Sequence, residues 1–561
     1  MPCAPFFSKP EPRPYQREII GILRDIIEEK KKKYIFMQLP TGAGKSEIAV
    51  TIAEYFRRKH SKDYYMLSMD HGLTAQYKRD YPFLKEVKGR QNFNCILENH
   101  RHLKASEAPC TSKHKAFRCP IMSECPYIMQ REEAKVSRGT LSTPYYIDLC
   151  TPGVNFETRF LAIRDEAHKL ENFYLQVYEI IITERDYATI YPGNEMPSYN
   201  EEGFWRKEVM SMELVCRTKL SRAILEDDII TYERLIEKME GLNKLLSMTG
   251  NVVIDVETSK RGYKIIKFRP VKCSTYTKEI IDGVAEHTIF MSATLLSIKD
   301  RCEHLGLDLN DVAYINFKDS FFPKENRHII YLPCGSMSYK RREKTIPELL
   351  DTIEDIILKR KEMRGVIICA SHQLREIIYK EIKRRSDNPE NIITHNFNPG
   401  SFNDNFEKFL TNKSKPYVFI TTRYEGLDFP GKLAEYLIYT NLPYPPPQDR
   451  QIAARLKMEQ ESYTTDNSGS CGYEVDDFGM CKRGAWCHNC RRWYDLKVAE
   501  AFQQAMGRII RTPEDVGYLY ILDSRFEKFY NQNEDLFLSY LKESIEEGWQ
   551  NGKKERCKRT T

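Results

Sequence analysis

Strand-length apolar runs alternate with amphipathic stretches along most of the chain. Tyr34-Ile35-Phe36-Met37, Tyr64-Tyr65-Met66-Leu67-Ser68-Met69, Phe160-Leu161-Ala162-Ile163 and Thr288-Ile289-Phe290-Met291 form a first series of expected strands. A second series follows at 366–369, 417–421, 436–440 and 517–522. Strands separated by helical or loop stretches predict parallel sheets, and two such series predict an α/β chain with two sheet domains. Between them the pattern changes. From about residue 175 to 265 apolar residues recur at three- and four-residue steps, as from Met210 to Thr249, and no catalytic motif interrupts them. This stretch reads as an inserted helical domain, since the strand pattern resumes only at Thr288.

Length and composition bound this picture. At 561 residues the chain exceeds the size at which one core keeps growing, so about two to four domains are expected. Hydrophobic residues make up 41% and charged ones 30%, with no apolar run long enough for a bilayer and no basic-apolar leader. A soluble intracellular protein is expected, cytoplasmic and nucleoid-associated, or nuclear in a eukaryote. The net charge of +6, on 86 basic and 80 acidic residues, is too mild to argue for a polyanion partner but permits local basic grooves.

The first expected strand runs into Leu39-Pro40-Thr41-Gly42-Ala43-Gly44-Lys45-Ser46, with an amphipathic helix beginning near Ser46. Gly42 and Gly44 let the backbone turn its N–H groups towards phosphate oxygens, Lys45 supplies a point charge for the β/γ-phosphates, and the Ser46 hydroxyl can join a Mg²⁺ shell. Leu39 stands where the general phosphate loop has its first Gly, a departure shared with the Pro-Thr-Gly-x-Gly-Lys variant of helicases. One helix upstream, Gln16 of Arg13-Pro14-Tyr15-Gln16 can pair with an adenine edge through its amide donor and acceptor.

The third strand delivers Asp165-Glu166-Ala167-His168 at its carboxyl end, where ligands bind in open α/β sheets. Asp165 can hold Mg²⁺ through water, Glu166 can orient and deprotonate the attacking water, and His168 can couple the site to the other domain. Arg164, beside them, interrupts a position where an apolar residue is expected. Ser292-Ala293-Thr294 ends the fourth strand, where it can link nucleotide state to a substrate groove. The second series has no phosphate loop of its own. It carries Tyr424 to Gly431, which includes Asp428, and Gln504-Ala505-Met506-Gly507-Arg508-Ile509-Ile510-Arg511. At a three-residue helical step Arg508 and Arg511 share a face and can reach a γ-phosphate across a cleft; such fingers contribute about 10³–10⁵ in rate.

Sixteen cysteines without a secretory leader argue against a disulfide framework, and two groups of them read as ligand sets. Cys95, Cys110, Cys119 and Cys125, spaced C-x14-C-x8-C-x5-C, lie in a basic, turn-rich segment that offers no apolar core. An all-thiolate set suits an iron–sulfur cluster or zinc, and spacing leaves the choice open. Cys471, Cys481, Cys487 and Cys490, spaced C-x9-C-x5-C-x2-C, end in a tight pair that zinc favours, with His488 as a substitute ligand. Zinc, a second cluster and no metal all remain open there. Lys482, Arg483, Trp486, Arg491, Arg492 and Trp493 interleave charge with stacking surface around that group.

LPTGAGKS, DEAH at 165–168, SAT at 292–294, EGLDFPG at 425–431 and QAMGRIIR at 504–511, in this order, resemble the XPD/DinG family of iron–sulfur superfamily 2 helicases. KGRQNFNC with the three later cysteines resembles that family's cluster domain. Ser68-Met69-Asp70 is a weak match to its motif Ia, and Arg423-Tyr424 replaces its usual aromatic pair. The resemblance implies an α/β chain of two RecA-like parallel-sheet motor domains, with an inserted Cys-rich iron–sulfur domain and an inserted helical arch. The expected units are 1–88, 141–174 and 266–320 for the first motor, 89–140 for the cluster domain, 175–265 for the arch, and 321–561 for the second motor with a Cys-rich insert at 466–493.

It further implies a [4Fe–4S] cluster on Cys95, Cys110, Cys119 and Cys125. ATP and Mg²⁺ would bind at Gln16, Thr41, Gly42, Ala43, Gly44, Lys45, Ser46, Asp165 and Asp428. Catalysis would fall to Lys45, Asp165, Glu166, Gln504, Arg508 and Arg511. The implied activity is 5′→3′ movement along single-stranded DNA and unwinding of forked DNA in repair or replication, by a monomer with no membrane partner. A translocase or RNA-directed remodeller, and a redox-responsive nucleic-acid-binding protein, are the alternatives. Metal analysis of protein purified without oxygen or chelator is expected to find four irons and one zinc per chain. Four irons with no zinc rules out zinc at the second group, and about eight irons replaces it with a second cluster.

Overall fold

The computed structural model describes residues 11–69, 71–108, 110, 119–150, 156–223, 229–247, 252–259, 261–317, 323–338, 341–395, 399–423, 433–466, 491–506 and 515–557. Among these residues the chain forms three sheets. The strands of the first are β1 (Tyr34–Gln38), β2 (Tyr64–Leu67), β3 (Lys85–Glu86), β4 (Gly139–Ser142), β5 (Arg159–Arg164), β9 (Ala285–Ser292) and β10 (Val312–Asn316). They are all parallel, in the order β10-β1-β9-β5-β2-β4-β3. The second sheet contains β11 (Arg327–Gly335), β12 (Arg364–Ile368), β13 (Ile392–Thr394), β14 (Tyr417–Thr421), β15 (Tyr436–Tyr439) and β16 (Gly517–Asp523). It too is parallel, in the order β11-β16-β15-β12-β14-β13.

Helices cover the faces of both sheets, which is why the inner strands read as unbroken apolar runs. β1, β2, β12, β14 and β15 are buried at every residue. β3, β10, β11 and β13, which hydrophobic runs did not mark, sit at or beside sheet edges, where one side lacks a partner and the polar content is higher. Among the described residues no helix is long and apolar enough to cross a membrane.

The insert differs from the helical unit expected over 175–265. Its helices Glu202–Ala223 and Ile229–Ser247 pack on a third, antiparallel sheet of β6 (Ile180–Thr183), β8 (Lys264–Pro270) and β7 (Val252–Thr258), which runs past residue 265. β8 alternates buried and half-exposed positions, a period that the neighbouring helical pattern obscures, whereas β7 buries Val253 to Asp255 in a row. The insert has its own core, centred on the fully buried Trp205 and including Met239, Ile266 and Phe268. It docks on the second motor through charge: Arg269 pairs with Asp449 (3.1 Å), and Arg450 with Asp255 (3.2 Å).

Arg164 acquires a physical reason. At the end of β5 it is fully buried, and its guanidinium donates to both Asp148 oxygens at 2.8 Å and to the Tyr174 hydroxyl at 3.2 Å. Tyr174 in turn donates to Asp148 Oδ2 at 2.7 Å. The fork fastens the helix Pro144–Cys150 and the helix Leu170–Val177 to the strand that carries the DEAH residues. Arg164→Ala leaves the Asp148 carboxylate buried and unpaired, so a loss of about 3–5 kcal/mol in urea unfolding is expected. The paired replacement Arg164→Met with Asp148→Leu is expected to recover most of it. A stable Arg164→Ala protein would show that the pair holds nothing.

Candidate nucleotide site

Three neighbouring strands bring the site together. In the order β1-β9-β5, the loop after β1, the Ser-Ala-Thr run after β9 and the DEAH run after β5 all leave the same sheet edge. Gly42 (φ 78°) and Gly44 (φ 77°) are left-handed, and Gly44 starts the helix Lys45–His60 from that conformation. Gly44 is also space-limited, because a Cβ there would lie 2.5 Å from Gln16 Nε2. Lys45 Nζ folds over the loop, 3.3 Å from Leu39 O and 3.4 Å from Pro40 O.

Gln16 is placed at the loop, in a bracing arrangement. Its amide donates to Ala43 O (3.1 Å) and accepts from Arg13 N–H (2.9 Å), while the Tyr15 hydroxyl donates to the same Ala43 oxygen at 3.1 Å. In this state the donor and acceptor expected to face adenine are both engaged within the chain.

The two residues expected around Mg²⁺ are joined by a third that sequence reasoning missed. The Tyr77 hydroxyl donates to Asp165 Oδ2 at 2.7 Å and lies 2.8 Å from Ser46 Oγ. Tyr77 sits on the helix His71–Asp80, where its spacing is that of an ordinary core residue, so nothing in the sequence marks it. Burial, then the adjacent Glu166 charge, push the Asp165 carboxyl above its usual range, while Tyr77 and Lys45 act in the opposite direction. A divalent cation between Ser46 and Asp165 would favour the ionised form, so the hydroxyl and carboxylate fit Mg²⁺ in donor chemistry.

Asp165 and Glu166 have different surroundings. Asp165 is buried, whereas the Glu166 side chain retains 24% exposure, enough to meet a water. Glu166 also adopts φ 51°, an uncommon conformation for a residue with a Cβ and one that concentrates at functional sites. Its backbone N–H donates to Asp165 Oδ1 at 2.8 Å, which holds the Asp165 carboxylate against the backbone.

His168 connects the sheets. Its Nδ1 lies 3.2 Å from Glu166 Oε2, 2.9 Å from Ser292 Oγ and 3.5 Å from Gln504 Nε2. Gln504 also donates to Thr294 Oγ1, and Ser292 Oγ accepts from Thr294 N–H at 3.1 Å. DEAH, Ser-Ala-Thr and the second motor's Gln504 therefore meet in one polar chain, buried from His168 onward. Asp428, Arg508 and Arg511 lie outside the described residues, as do Cys471, Cys481, Cys487 and Cys490.

The first cysteine group lies between β3 and β4. Cys95, Cys119 and Cys125 are partly exposed and Cys110 is exposed, whereas Cys216, Cys273, Cys302, Cys334 and Cys369 are buried. The Arg90 guanidinium is 3.8 Å from Cys110 Sγ and covers the Tyr127 ring at 4.8 Å, and Phe93 meets that ring edge-on at 6.0 Å. Cys95 follows Phe93 and Cys125 precedes Tyr127 by two residues each in the chain. Among the described residues, no three His, Cys, Asp or Glu side chains are grouped to hold a metal ion. The donor set suits a cluster in chemistry, being four thiols of which none is fully buried.

A family model described as a helicase C-terminal domain matches residues 355–544, and one described as the res subunit of type III restriction enzymes matches residues 9–189. The solved structure of an XPD helicase covers 94% of this chain and 99% of its own, with a TM-score of 0.59 at 16% identity. S. tokodaii Xpd4 gives 0.55 at 15% identity over 93% of this chain and 99% of its own. This chain has the XPD-helicase fold. The fold expected from its motifs is thus borne out, and the helicase matches agree with the enzyme class. A probable ATP-dependent helicase of Methanocaldococcus jannaschii is 25% identical over 59% of this chain and 48% of its own length. A regulator of telomere elongation helicase 1 homolog of Aedes aegypti is 34% identical over 18% of this chain and 8% of its own. The chain therefore spans less than half the length of these curated relatives.

The roles expected from the sequence give Lys45 the phosphates and Glu166 the water. Lys45→Ala is expected to weaken ATP binding and abolish turnover, whereas Glu166→Gln keeps ATP bound and lowers turnover by about 10²–10⁴. Nucleotide binding and phosphate release check both, and parental turnover in either variant overturns the assignment.

Proposed function

We propose that the chain is an ATP-dependent DNA helicase that moves 5′→3′ on single strands and opens forked duplexes as a monomer. The observation that carries the reading is the polar chain from the half-buried Glu166 through His168, Ser292 and Thr294 to Gln504, which ties the hydrolytic carboxylate to the second motor. Lys45 and the loop N–H groups grip the phosphates, Glu166 takes a proton from the attacking water, and His168 reports the state of that carboxylate to Gln504. Ser46 and Asp165 would hold Mg²⁺, which when bound neutralises charge on the β/γ-phosphates. Arg508 and Arg511 as fingers and Asp428 in nucleotide binding belong to the same proposal on their motifs alone.

A cavity of about 510 Å³ between the cysteine segment and the first motor supports a strand path. Lys88 and Arg90 line it beside Tyr127, Tyr145 and Phe173, the mixture of cation and stacking surface that suits single strands. In this reading Cys95, Cys110, Cys119 and Cys125 hold a [4Fe–4S] cluster that stiffens the segment at the point of strand separation, and the arch closes over the strand. Zinc at Cys471, Cys481, Cys487 and Cys490 would pin the second motor's insert.

Strand-displacement and ATPase assays test the reading together. Duplexes with a 5′ overhang are expected to be unwound and those with a 3′ overhang not, with hydrolysis stimulated by single-stranded DNA. Cys119→Ser is expected to lose iron and unwinding while retaining DNA-stimulated ATPase. Stimulated hydrolysis without strand displacement by the parental protein would make it a translocase, stimulation by RNA alone an RNA remodeller, and binding without hydrolysis a nucleic-acid-binding protein. Full unwinding by iron-free Cys119→Ser would remove the cluster from strand separation.

A further inference from the structure

We propose that Glu171, on the helix immediately after the DEAH run, is a positioning residue for hydrolysis: it latches the helix Arg492–Met506 onto the first motor and so sets Gln504 against His168 and Thr294. This rests on the ATPase reading above. Glu171 is 3% exposed, and no step of hydrolysis described above uses it. Its Oε1 accepts from Trp493 Nε1 at 3.0 Å, and its Oε2 lies 2.8 Å from Lys497 Nζ. Arg455, from the helix Arg450–Asp466, stands 3.9 Å away and is itself held by Glu459 at 2.8 Å. His304 is 3.4 Å from Oε2, where burial pushes its pKa down against the opposing pull of the carboxylate.

A second tether lies one step further along the same helix. Arg301, 2% exposed, pairs with Glu500 at 2.9 Å and donates to His168 O (3.3 Å) and Leu295 O (3.2 Å). Trp493, Lys497, Glu500 and Gln504 follow at steps of four, three and four residues, which places them on one helical face. The first three bind the first motor away from the phosphate loop, and the fourth enters the hydrolytic network. A helix held at Glu171 and Arg301 can present Gln504 in only one register.

Energetics make the latch reversible. Burying Glu171 with Lys497 loses hydration on both ions, and only close geometry offsets that loss. When the cleft opens, both ions regain water, so the tether favours the closed arrangement without locking it. Since Thr41 to Ser46 belong to the first motor alone, loss of the latch should slow the chemical step more than it weakens ATP binding.

The test uses the full-length chain with Glu171→Gln, Trp493→Phe and the double variant Glu171→Gln/Lys497→Gln. Glu171→Gln is expected to lower DNA-stimulated kcat at least about tenfold with the KM for ATP changed less than about threefold. The double variant, which removes the stranded ammonium as well but still lacks the latch, is expected to regain folded stability while keeping the kcat loss, and a kcat back within about twofold of parental overturns the proposal. A kcat within twofold of parental in Glu171→Gln, or a loss that merely follows its folded fraction, overturns the proposal. Should Glu171→Gln fail to fold, Trp493→Phe removes a single hydrogen bond, and an unchanged kcat there overturns it equally. If the parental protein hydrolyses no ATP, the ATPase reading fails by itself. The latch is then read by hydrogen exchange of residues 493–506, expected to speed up at least tenfold in Glu171→Gln or, should that variant not fold, in Trp493→Phe, with unchanged protection overturning it.

Discussion

The lateral register of β1, β9 and β5 is the constraint on which the site depends. Gln38 at the end of β1 is level with Ser292 on β9, and Arg164 at the end of β5 with Phe290. Leu39 N–H then donates to Ser292 O at 3.2 Å, and Asp165 N–H to Leu67 O at 2.9 Å, so the chain leaves each strand with its backbone still paired. A one-residue slip of β9 would turn Ser292 to the other face and sever His168 from Thr294 and Gln504. Three apolar strands buried on both faces supply the stiffness for this, and the functional groups sit one or two residues beyond them.

Buried polar groups do the work at two levels around that edge. Close to the phosphate loop they are mostly neutral or singly charged: Tyr77 between Ser46 and Asp165, and Gln16 against Ala43. Further out they are ion pairs deprived of water, Arg164 with Asp148 and Glu171 with Lys497. Neither pair is evidence of great stability, because desolvation opposes the Coulombic gain. Their consequence is geometric. Each admits one arrangement of the helices that meet it, so the DEAH strand is fastened on one side and the second motor on the other.

The two insertions follow a different logic. The first insert carries its own core around Trp205 and meets the second motor through partly buried ion pairs, Arg269 with Asp449 and Arg450 with Asp255. The cysteine segment has little core, and its described residues are organised around Arg90 and Tyr127, which is the situation in which a metal contributes most to folding.

What the sequence determined by itself is what local chain chemistry dictates. A left-handed Gly before Lys-Ser, an acidic pair after an apolar strand and a periodic helix are properties of adjacent residues, so both motors, the phosphate loop, DEAH, Ser-Ala-Thr and Gln504 were legible without a structure. The tertiary structure alone decided which distant side chains meet. Tyr77 reaches Asp165 across 88 residues, Gln504 reaches Thr294 across 210, and Trp493 reaches Glu171 across 322. No periodicity encodes those distances. Arg164 looked anomalous in an apolar strand because its partner Asp148 is on another element, and the arch's strands were hidden because sheet pairing, unlike a helical turn, is satisfied by residues far away in the chain. The physical reason is the same in each case: a helix or a turn closes its own hydrogen bonds, whereas a buried charge or a strand edge is defined by what packs against it.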